Sequence, residues 1–196
     1  MSDLKDDFLG EVNRANRKGT DELIEYLEKD TDFFTAPASR RYHGSHDEGL
    51  VYHSLAVLDA ARSIAKLSEN ELPDDSLVIC SLFHDICKAN YYVKGKRNVK
   101  KNGKWEEIEI WNVKEELPMG HGEKSLYLLM KYGVDIADDE ALAIRWHLGG
   151  FDPGSHFGFP SGFPSAQTFR QYPLAVVIAL ADFAASYLLE EWPKED

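Results

Sequence analysis

Asp182 is a carboxylate within LAVVIALADFAAS, a stretch that would be apolar on every face of a helix. Ionised and unpaired there, it would cost several kcal/mol, so it should be paired, protonated or bound to a metal. His84 and Asp85 raise the same question, because they stand side by side among large apolar residues. A divalent ion such as Mn, Fe, Co, Ni or Zn would relieve the burial of both carboxylates, since imidazole and carboxylate groups bind these ions. A hydrogen bond between helices or an arginine partner is the alternative for Asp182.

Four histidines occupy positions that favour presentation towards the interior or a cleft: His53, His84, His121 and His147. Singly, each is better explained as a hydrogen-bonded core or capping histidine. Together with Asp85 and Asp182, the set predicts a site for divalent cations. The two oxygens of Asp85 could bridge two ions, which a histidine cannot do.

Helical periodicity dominates the chain and places these residues on separate helices. Two leading helices are predicted near residues 3–16 and over residues 20–30, the second with Thr20 as its N-cap. Further helices are predicted at about 49–67, 74–89, 122–132, 138–148 and 173–191. The pair Asn102-Gly103 between two β-tolerant runs predicts an inserted β-hairpin over 91–115. The sequence thus predicts one all-α domain over 1–196, with leading helices and a loop in 1–40.

The segment 151–172 is rich in Gly, Pro and Phe and is predicted to be a long loop. Its aromatic residues and histidine are expected to form a pocket wall, or else a small separate core: Phe151, His156, Phe157, Phe159 and Phe163.

Composition limits the classes of protein that fit. The 196 residues are 43% hydrophobic and 29% charged, as in soluble globular domains. No segment reaches the roughly 20 apolar residues that span a bilayer, so we expect a cytoplasmic protein with no membrane partner. Cys80 and Cys87 are expected to be buried, reduced thiols.

The net charge of −12 argues against broad affinity for nucleic acids or anionic membranes. The predicted hairpin nevertheless carries a basic segment: Lys94, Lys96, Arg97, Lys100, Lys101 and Lys104. It is expected either to steer a nucleotide or oligonucleotide, or to protect a solvated sheet edge.

The order His53, His84-Asp85, His121, His147, Asp182 resembles the H…HD…H…H…D pattern of HD-domain proteins, a superfamily of metal-dependent phosphohydrolases. The resemblance covers roughly residues 43–190. It implies an all-α HD-domain helical bundle with the β-hairpin as an insertion. His53, His84, Asp85 and Asp182 match the ligands of a first metal. His121 and His147 match the histidines of members that hold a second metal, with Asp85 as the bridge.

The resemblance also implies roles towards a substrate. Lys88, in HDICK, matches a lysine that approaches the substrate phosphate, and Cys87 stands where a glycine is frequent. His43 matches a histidine of HD proteins related to exoribonucleases. Lys88 and His43 are therefore expected to contact substrate, with Asp85 and Lys88 as the catalytic residues. Arg145 is a third residue that we expect to contact substrate.

The implied function is hydrolysis of a nucleotide or other small phosphate ester by a water activated by one or two divalent ions: Mn, Fe, Co, Ni, Zn or Mg. An oligonucleotide is the alternative substrate, and no protein partner is predicted. Two other functions stay open. One is a di-iron oxygenase resembling inositol oxygenase, which uses the same ligand types, and the other is a module that senses a nucleotide without turning it over.

Overall fold

The computed structural model describes residues 3–101, 103–152, 154 and 163–190, which form eight α-helices and one two-stranded sheet. The predicted all-α bundle with an inserted hairpin is therefore confirmed. The helices are α1 (Leu4–Ala15), α2 (Thr20–Lys29), α3 (Gly49–Ala65), α4 (Asp74–Phe83), α5 (His121–Lys131), α6 (Asp138–Arg145), α7 (Pro164–Gln171) and α8 (Pro173–Ala184). The strands are β1 (Tyr92–Lys101) and β2 (Lys104–Val113).

The leading helices cover one side of the core. Phe8 of α1 is fully buried and meets the rings of Phe33 and Phe83 edge to face, with centroids 5.3 and 5.6 Å away.

The prediction of Thr20 as the N-cap of α2 is wrong by one residue. Gly19 holds that position in the left-handed region, at φ 85°, while the Thr20 hydroxyl donates to the carbonyl of Arg17. Glycine suits this position because it adopts positive φ without strain.

Helices α3, α4 and α8 supply the central layer. Helix α3 has an apolar stripe that is buried at Leu50, Val57 and Ala61, and His53 is buried with it. Residues 76–83 of α4 are all buried, as its apolar composition predicts. A histidine on this stripe of α3 must therefore face either the core or a site enclosed by the core.

The predicted helix over 74–89 is wrong at its C-terminal end, because α4 stops at Phe83. Asp85 leaves helical geometry at φ −110° and ψ 17°, and Ile86–Lys88 form a single 3-10 turn. The break changes the directions of the side chains that follow α4. Within this turn the Lys88 ammonium contacts the Asp85 carboxylate.

The hairpin forms as predicted, with β1 and β2 antiparallel and in register from Tyr92 opposite Val113 to Lys101 opposite Lys104. The turn between them contains Gly103 at φ 83°, as its Asn-Gly sequence predicts, although Asn102 lies outside the described residues. Two hairpin lysines form exposed ion pairs, Lys94 with Asp47 at 3.0 Å and Lys96 with Glu107 at 2.6 Å. A role of the basic segment in steering substrate stays a prediction.

The prediction of a loop over 151–172 is wrong in its second half, where Pro164–Gln171 form α7. Pro164 takes the first helical position, where its fixed φ and missing N–H are tolerated. His156, Phe157 and Phe159 lie outside the described residues, so a pocket wall or separate core formed by them stays a prediction.

The last helix, α8, continues as a π-helical stretch over Ala185–Leu189. Among the described residues no single helix has both the length and the apolar character to cross a bilayer. Residues 164–171 and 173–189 reach that length and composition only together, across a bend of 112°.

Candidate metal centre

The structure brings together all six side chains predicted to bind metal. They come from α3, the turn after α4, the first residue of α5, the turn after α6, and α8: His53, His84, Asp85, His121, His147 and Asp182. Three of the four histidines and Asp85 are at most 2% exposed. The cluster is therefore enclosed by the bundle.

One half of the cluster surrounds the Nε2 atom of His53. This atom lies 3.3 Å from His84 Nε2, 3.2 Å from Asp182 Oδ1 and 3.7 Å from Asp85 Oδ2. With metal–ligand bonds of about 2.0–2.2 Å, two ligand atoms on one ion are roughly 3 to 3.5 Å apart. The separations in this half are close to that value.

The other half surrounds the second carboxylate oxygen of Asp85. Asp85 Oδ1 lies 2.5 Å from His121 Nε2 and 3.6 Å from His147 Nε2. The two oxygens of Asp85 thus face different groups of nitrogen atoms.

The backbone fixes the orientation of two rings. The Nδ1–H groups of His84 and His147 donate to the carbonyls of Ser81 and Ile144, at 2.8 and 2.7 Å. A neutral ring that donates through Nδ1 carries a lone pair on Nε2, and both Nε2 atoms face the cluster. Such hydrogen bonds to carbonyls are typical of metal-binding histidines.

His147 Nε2 provides a test of whether a metal fits. It is buried and has no hydrogen-bond partner among the described residues. A buried polar atom without a partner is costly, and here it faces a carboxylate that would repel its lone pair. A cation between them would satisfy both groups, so the donor set fits a divalent metal.

A family comparison agrees with this geometry. The family model of the HD domain matches residues 50–184, a range that includes all six side chains. The chain belongs to the HD-domain family. No curated protein and no solved structure gives a significant match. HD domains are generally metal-dependent phosphohydrolases, and the buried His/Asp cluster of this HD domain could hold the metal.

In the metal-free site of this HD domain, protons and the Lys88 ammonium must balance the negative charges of the buried carboxylates. Burial disfavours a charged His53, but hydrogen bonds to Asp182 and Glu190 outweigh it and raise the pKa of His53 to about 9. Burial likewise opposes charge on His121, while Cys87 and Asp85 raise its pKa to about 10. The pKa of Asp85 is held well below its usual range, because the charges of Lys88, His84 and His121 outweigh burial. In the metal-free protein, protons on His53 and His121 thus supply positive charge that a bound metal ion would otherwise supply.

Close helix packing brings His121 and His147 together, with ring centroids 5.5 Å apart. Gly122, the second residue of α5, is buried against the end of α6. A Cβ at this position would lie 2.2 Å from the carbonyl oxygen of Arg145. Only glycine allows the two helices to approach this closely, and the approach sets the width of this half of the cluster.

Lys88 and His43, both predicted to contact substrate, line a cavity of about 340 Å³ that opens from the cluster. The Lys88 side chain is 11% exposed and contacts Asp85 Oδ2. His43 Nε2 lies 3.3 Å from Ser186 Oγ, and its ring centroid is 4.9 Å from that of His53. Apolar side chains form much of the opposite wall: Leu148, Phe151, Leu180 and Phe183.

Arg145, the third residue predicted to contact substrate, is not among the described residues that line this cavity. Its guanidinium pairs with Glu123, pairs with Asp152 at 3.0 Å, and stacks on the Trp146 ring at 3.8 Å. These contacts hold the Arg145 side chain between α5 and the residues that follow α6. Its contact with substrate stays a prediction.

Sequence reasoning missed two residues of the site. Glu190 Oε1 accepts a hydrogen bond of 2.5 Å from His53 Nδ1, and the Glu190 side chain is 1% exposed. Cys87 Sγ lies 3.3 Å from His121 Nδ1. Glu190 lies in an acidic sequence, LLEEWPKED, in which nothing marks it as buried. Cys87 stands out in the sequence only as a departure from the family's frequent glycine.

Proposed function

We propose that this HD domain is a divalent-metal-dependent phosphohydrolase that acts on a nucleotide or another phosphate ester. The observation that supports this best is the position of Asp85. Its two oxygens face two groups of imidazoles, and the ammonium of Lys88 lies beside it at the cavity. Cationic groups around one cavity suit an anionic substrate. A cytoplasmic location belongs to the proposal and is supported by two buried, free thiols.

His53, His84, Asp85 and Asp182 would hold one ion, and Asp85, His121 and His147 a second: Mn, Fe, Co, Ni, Zn or Mg. When bound, such ions lower the pKa of water and offset negative charge on a phosphoryl group. His84 and His147 contribute orientation, since their Nδ1–H hydrogen bonds to backbone carbonyls hold each Nε2 lone pair towards the site.

Lys88 would bind the phosphate. Burial opposes its charge, but the Asp85 carboxylate outweighs burial and raises the pKa of Lys88, so it is an ammonium at neutral pH. An ammonium that can turn from Asp85 to a phosphate oxygen stabilises the charge of that oxygen. Lys88 would thus position the ester and stabilise charge as the bond to the leaving group breaks.

His43 would contribute an uncharged hydrogen-bonding group at the same cavity. Burial lowers the pKa of His43 to about 4, helped by the nearby charges of His53 and Lys88. Its neutral ring can donate or accept one hydrogen bond to substrate. The apolar wall around Phe151 and Phe183 suits the organic part of a phosphate ester, which favours an ester over inorganic polyphosphate.

An oligonucleotide is the alternative substrate, and a second cavity favours it. This cavity of about 540 Å³ lies between the hairpin and the loop that carries His43, and its lining includes Arg40, Arg41, Arg97 and Trp111. Arginine and tryptophan side chains bind single strands through phosphate contacts and base stacking.

The test is a substrate screen with the protein loaded separately with each metal. Phosphomonoesters, cyclic dinucleotides and short oligonucleotides are offered, and released product is measured. We expect hydrolysis of at least one class with wild-type protein and none with Asp85→Ala. Dioxygen consumption by the iron-loaded protein without hydrolysis would instead support the oxygenase. Nucleotide binding without any product would support the sensing module.

A further inference from the structure

We propose that the substrate of this HD domain is a phosphate monoester with an aromatic organic group, and that Phe183 and Tyr187 select that group. This inference rests on the proposed phosphohydrolase and narrows its substrate class. In the reaction water adds to phosphorus, the P–O bond to the organic group breaks, and the products are the alcohol and inorganic phosphate. The metal centre alone would not distinguish such an ester from a polyphosphate or from the phosphate of a polar alcohol.

Phe183 and Tyr187 form an aromatic pair beside the metal centre. Their rings stack with centroids 4.6 Å apart and planes at 30°. Asp182 precedes Phe183, Ser186 precedes Tyr187, and the Ser186 hydroxyl donates to Asp182 Oδ1 at 3.4 Å. Residues four apart are neighbours on a helix, and consecutive residues point about 100° apart. The two rings therefore lie on the helix face next to the one that carries Asp182 and Ser186.

The aromatic pair also lines the cavity that opens from the metal centre. Helix α8 ends at Ala184 and continues as its π-helical stretch, which includes Tyr187. Single π-helical turns are frequent at functional sites. The rings of Phe183 and Tyr187 belong to residues that are 51% and 55% exposed, so the fold leaves much of their surface accessible. The cavity thus offers an aromatic surface directly beside a metal ligand.

Cationic side chains are confined to one end of this cavity. Among the described lining residues Lys88 is the only lysine or arginine, and it contacts Asp85 at the metal cluster. The described lining residues that adjoin the two rings are apolar or glycine: Leu148, Gly149, Gly150, Phe151, Ala179 and Leu180. Lys88 and bound metal ions would balance the charge of one phosphate, whereas further phosphates would lie against apolar side chains. An anion placed there without a partner is costly, so a polyphosphate chain is disfavoured.

The size of the cavity agrees with a small ester. Small-molecule sites have volumes of about 300–1,000 Å³, are mostly apolar, and orient the ligand through a few polar groups. At about 340 Å³ this cavity is at the small end of that range. One phosphate and one aromatic group suit its volume. The aromatic group can pack on Phe183, since aromatic rings attract each other at centroid distances of about 4.5–7 Å.

Two phosphonates that are not hydrolysed test the inference without measuring activity. Phenylphosphonate and methylphosphonate carry the same anionic group and differ in the ring. Calorimetric titration of protein loaded with zinc or manganese should show that phenylphosphonate binds at least about tenfold more tightly. In Phe183→Ala and in Tyr187→Ala this ratio of affinities should fall to about threefold or less, with the affinity for methylphosphonate unchanged.

Leu188→Ala is the matched control. Leu188 lies in the same π-helical stretch and is more exposed than either ring, but it is not among the described residues that line the cavity. Its truncation removes exposed apolar surface from the same helix and should leave the ratio of affinities at the wild-type value. An equal fall of the ratio in all three variants would overturn selection by Phe183 and Tyr187.

Hydrolysis rates extend the test to the proposed reaction. For the metal-loaded protein, kcat/KM should be at least about tenfold higher for phenyl phosphate than for glycerol 3-phosphate. It should likewise be at least about tenfold higher for adenosine monophosphate than for adenosine triphosphate. Phe183→Ala should raise KM for phenyl phosphate and leave kcat/KM for glycerol 3-phosphate unchanged.

The outcomes separate this inference from the proposed function. Hydrolysis with equal kcat/KM for phenyl phosphate and glycerol 3-phosphate, or a preference for adenosine triphosphate, would overturn the inference and leave the phosphohydrolase standing. Tighter binding of phenylphosphonate without hydrolysis of any ester would overturn the phosphohydrolase and support the aromatic pair as a ligand site. Equal affinity for the two phosphonates, or no binding of either, would overturn the inference.

Discussion

Glu190→Gln should weaken metal binding at the first position by about 10- to 100-fold, although Glu190 is not one of the predicted ligands. The Glu190 carboxylate accepts a hydrogen bond from Nδ1 of His53, whose Nε2 faces His84 and Asp182. A carboxylate at this place raises the electron density of the ring and holds its orientation. A glutamine of almost the same size keeps a hydrogen-bond acceptor and removes the charge.

The magnitude follows from the burial of this contact. The hydrogen bond is 2.5 Å long, and the side chains of His53 and Glu190 are 0% and 1% exposed. Solvent therefore does not weaken the interaction. A hydrogen bond to a charged group contributes about 1.5–3 kcal/mol, and about 1.4 kcal/mol corresponds to a factor of ten in affinity.

Calorimetric titration with zinc or manganese measures the effect. Glu140→Gln is the matched control, because the Glu140 side chain is also 1% exposed and pairs with Arg17 at 2.7 Å. It should lower the melting temperature without changing metal affinity. If folded Glu190→Gln binds metal as tightly as wild-type protein, the reasoning about this carboxylate is refuted.

Four further predictions concern the same centre. Asp85→Ala should remove all bound metal, whereas His121→Ala or His147→Ala should remove only one ion. Metal analysis after desalting measures both effects. A full metal complement in Asp85→Ala would contradict the bridging role. Lys88→Met should lower turnover by about 100-fold with metal content unchanged, and wild-type turnover would exclude it from catalysis. Because the pKa values of metal-free His53 and His121 are raised to about 9 and about 10, an ion that binds at either position near pH 7 should release a proton, and its affinity should strengthen as pH rises to 9. Titration calorimetry in two buffers of different ionisation heat measures that release. The raised pKa of His53 also makes the stability of the metal-free protein depend on pH. Protonated His53 stabilises the fold fully below about pH 6.5, and this stabilisation is lost as pH rises through about 9. Denaturant unfolding curves at several pH values measure the change in the free energy of unfolding.

Local composition indicated which groups at the centre of the site need compensation. A carboxylate in an apolar helix, as at Asp182, must be compensated wherever that helix packs, so its sequence context was sufficient. The same holds for His53 on its apolar stripe and for the adjacent His84 and Asp85. The hairpin was equally local, since an Asn-Gly turn between two β-tolerant runs sets its own register.

The tertiary structure decided the partners of these residues. Glu190 is 137 residues away from His53 along the chain, and no local pattern connects them. Cys87 lies beside His121 in the 3-10 turn that follows α4, where helical periodicity alone predicted a longer helix. Arg145 has two carboxylate partners that its position in the sequence does not reveal.

The physical reason is that burial and periodicity are properties of a segment, whereas hydrogen bonds and ion pairs depend on which atoms meet across segments. The sequence by itself determined that charged groups must be compensated inside a helical bundle. Only the packing of the helices decided that Asp85 would have imidazoles on both sides, with Cys87 and Glu190 behind them.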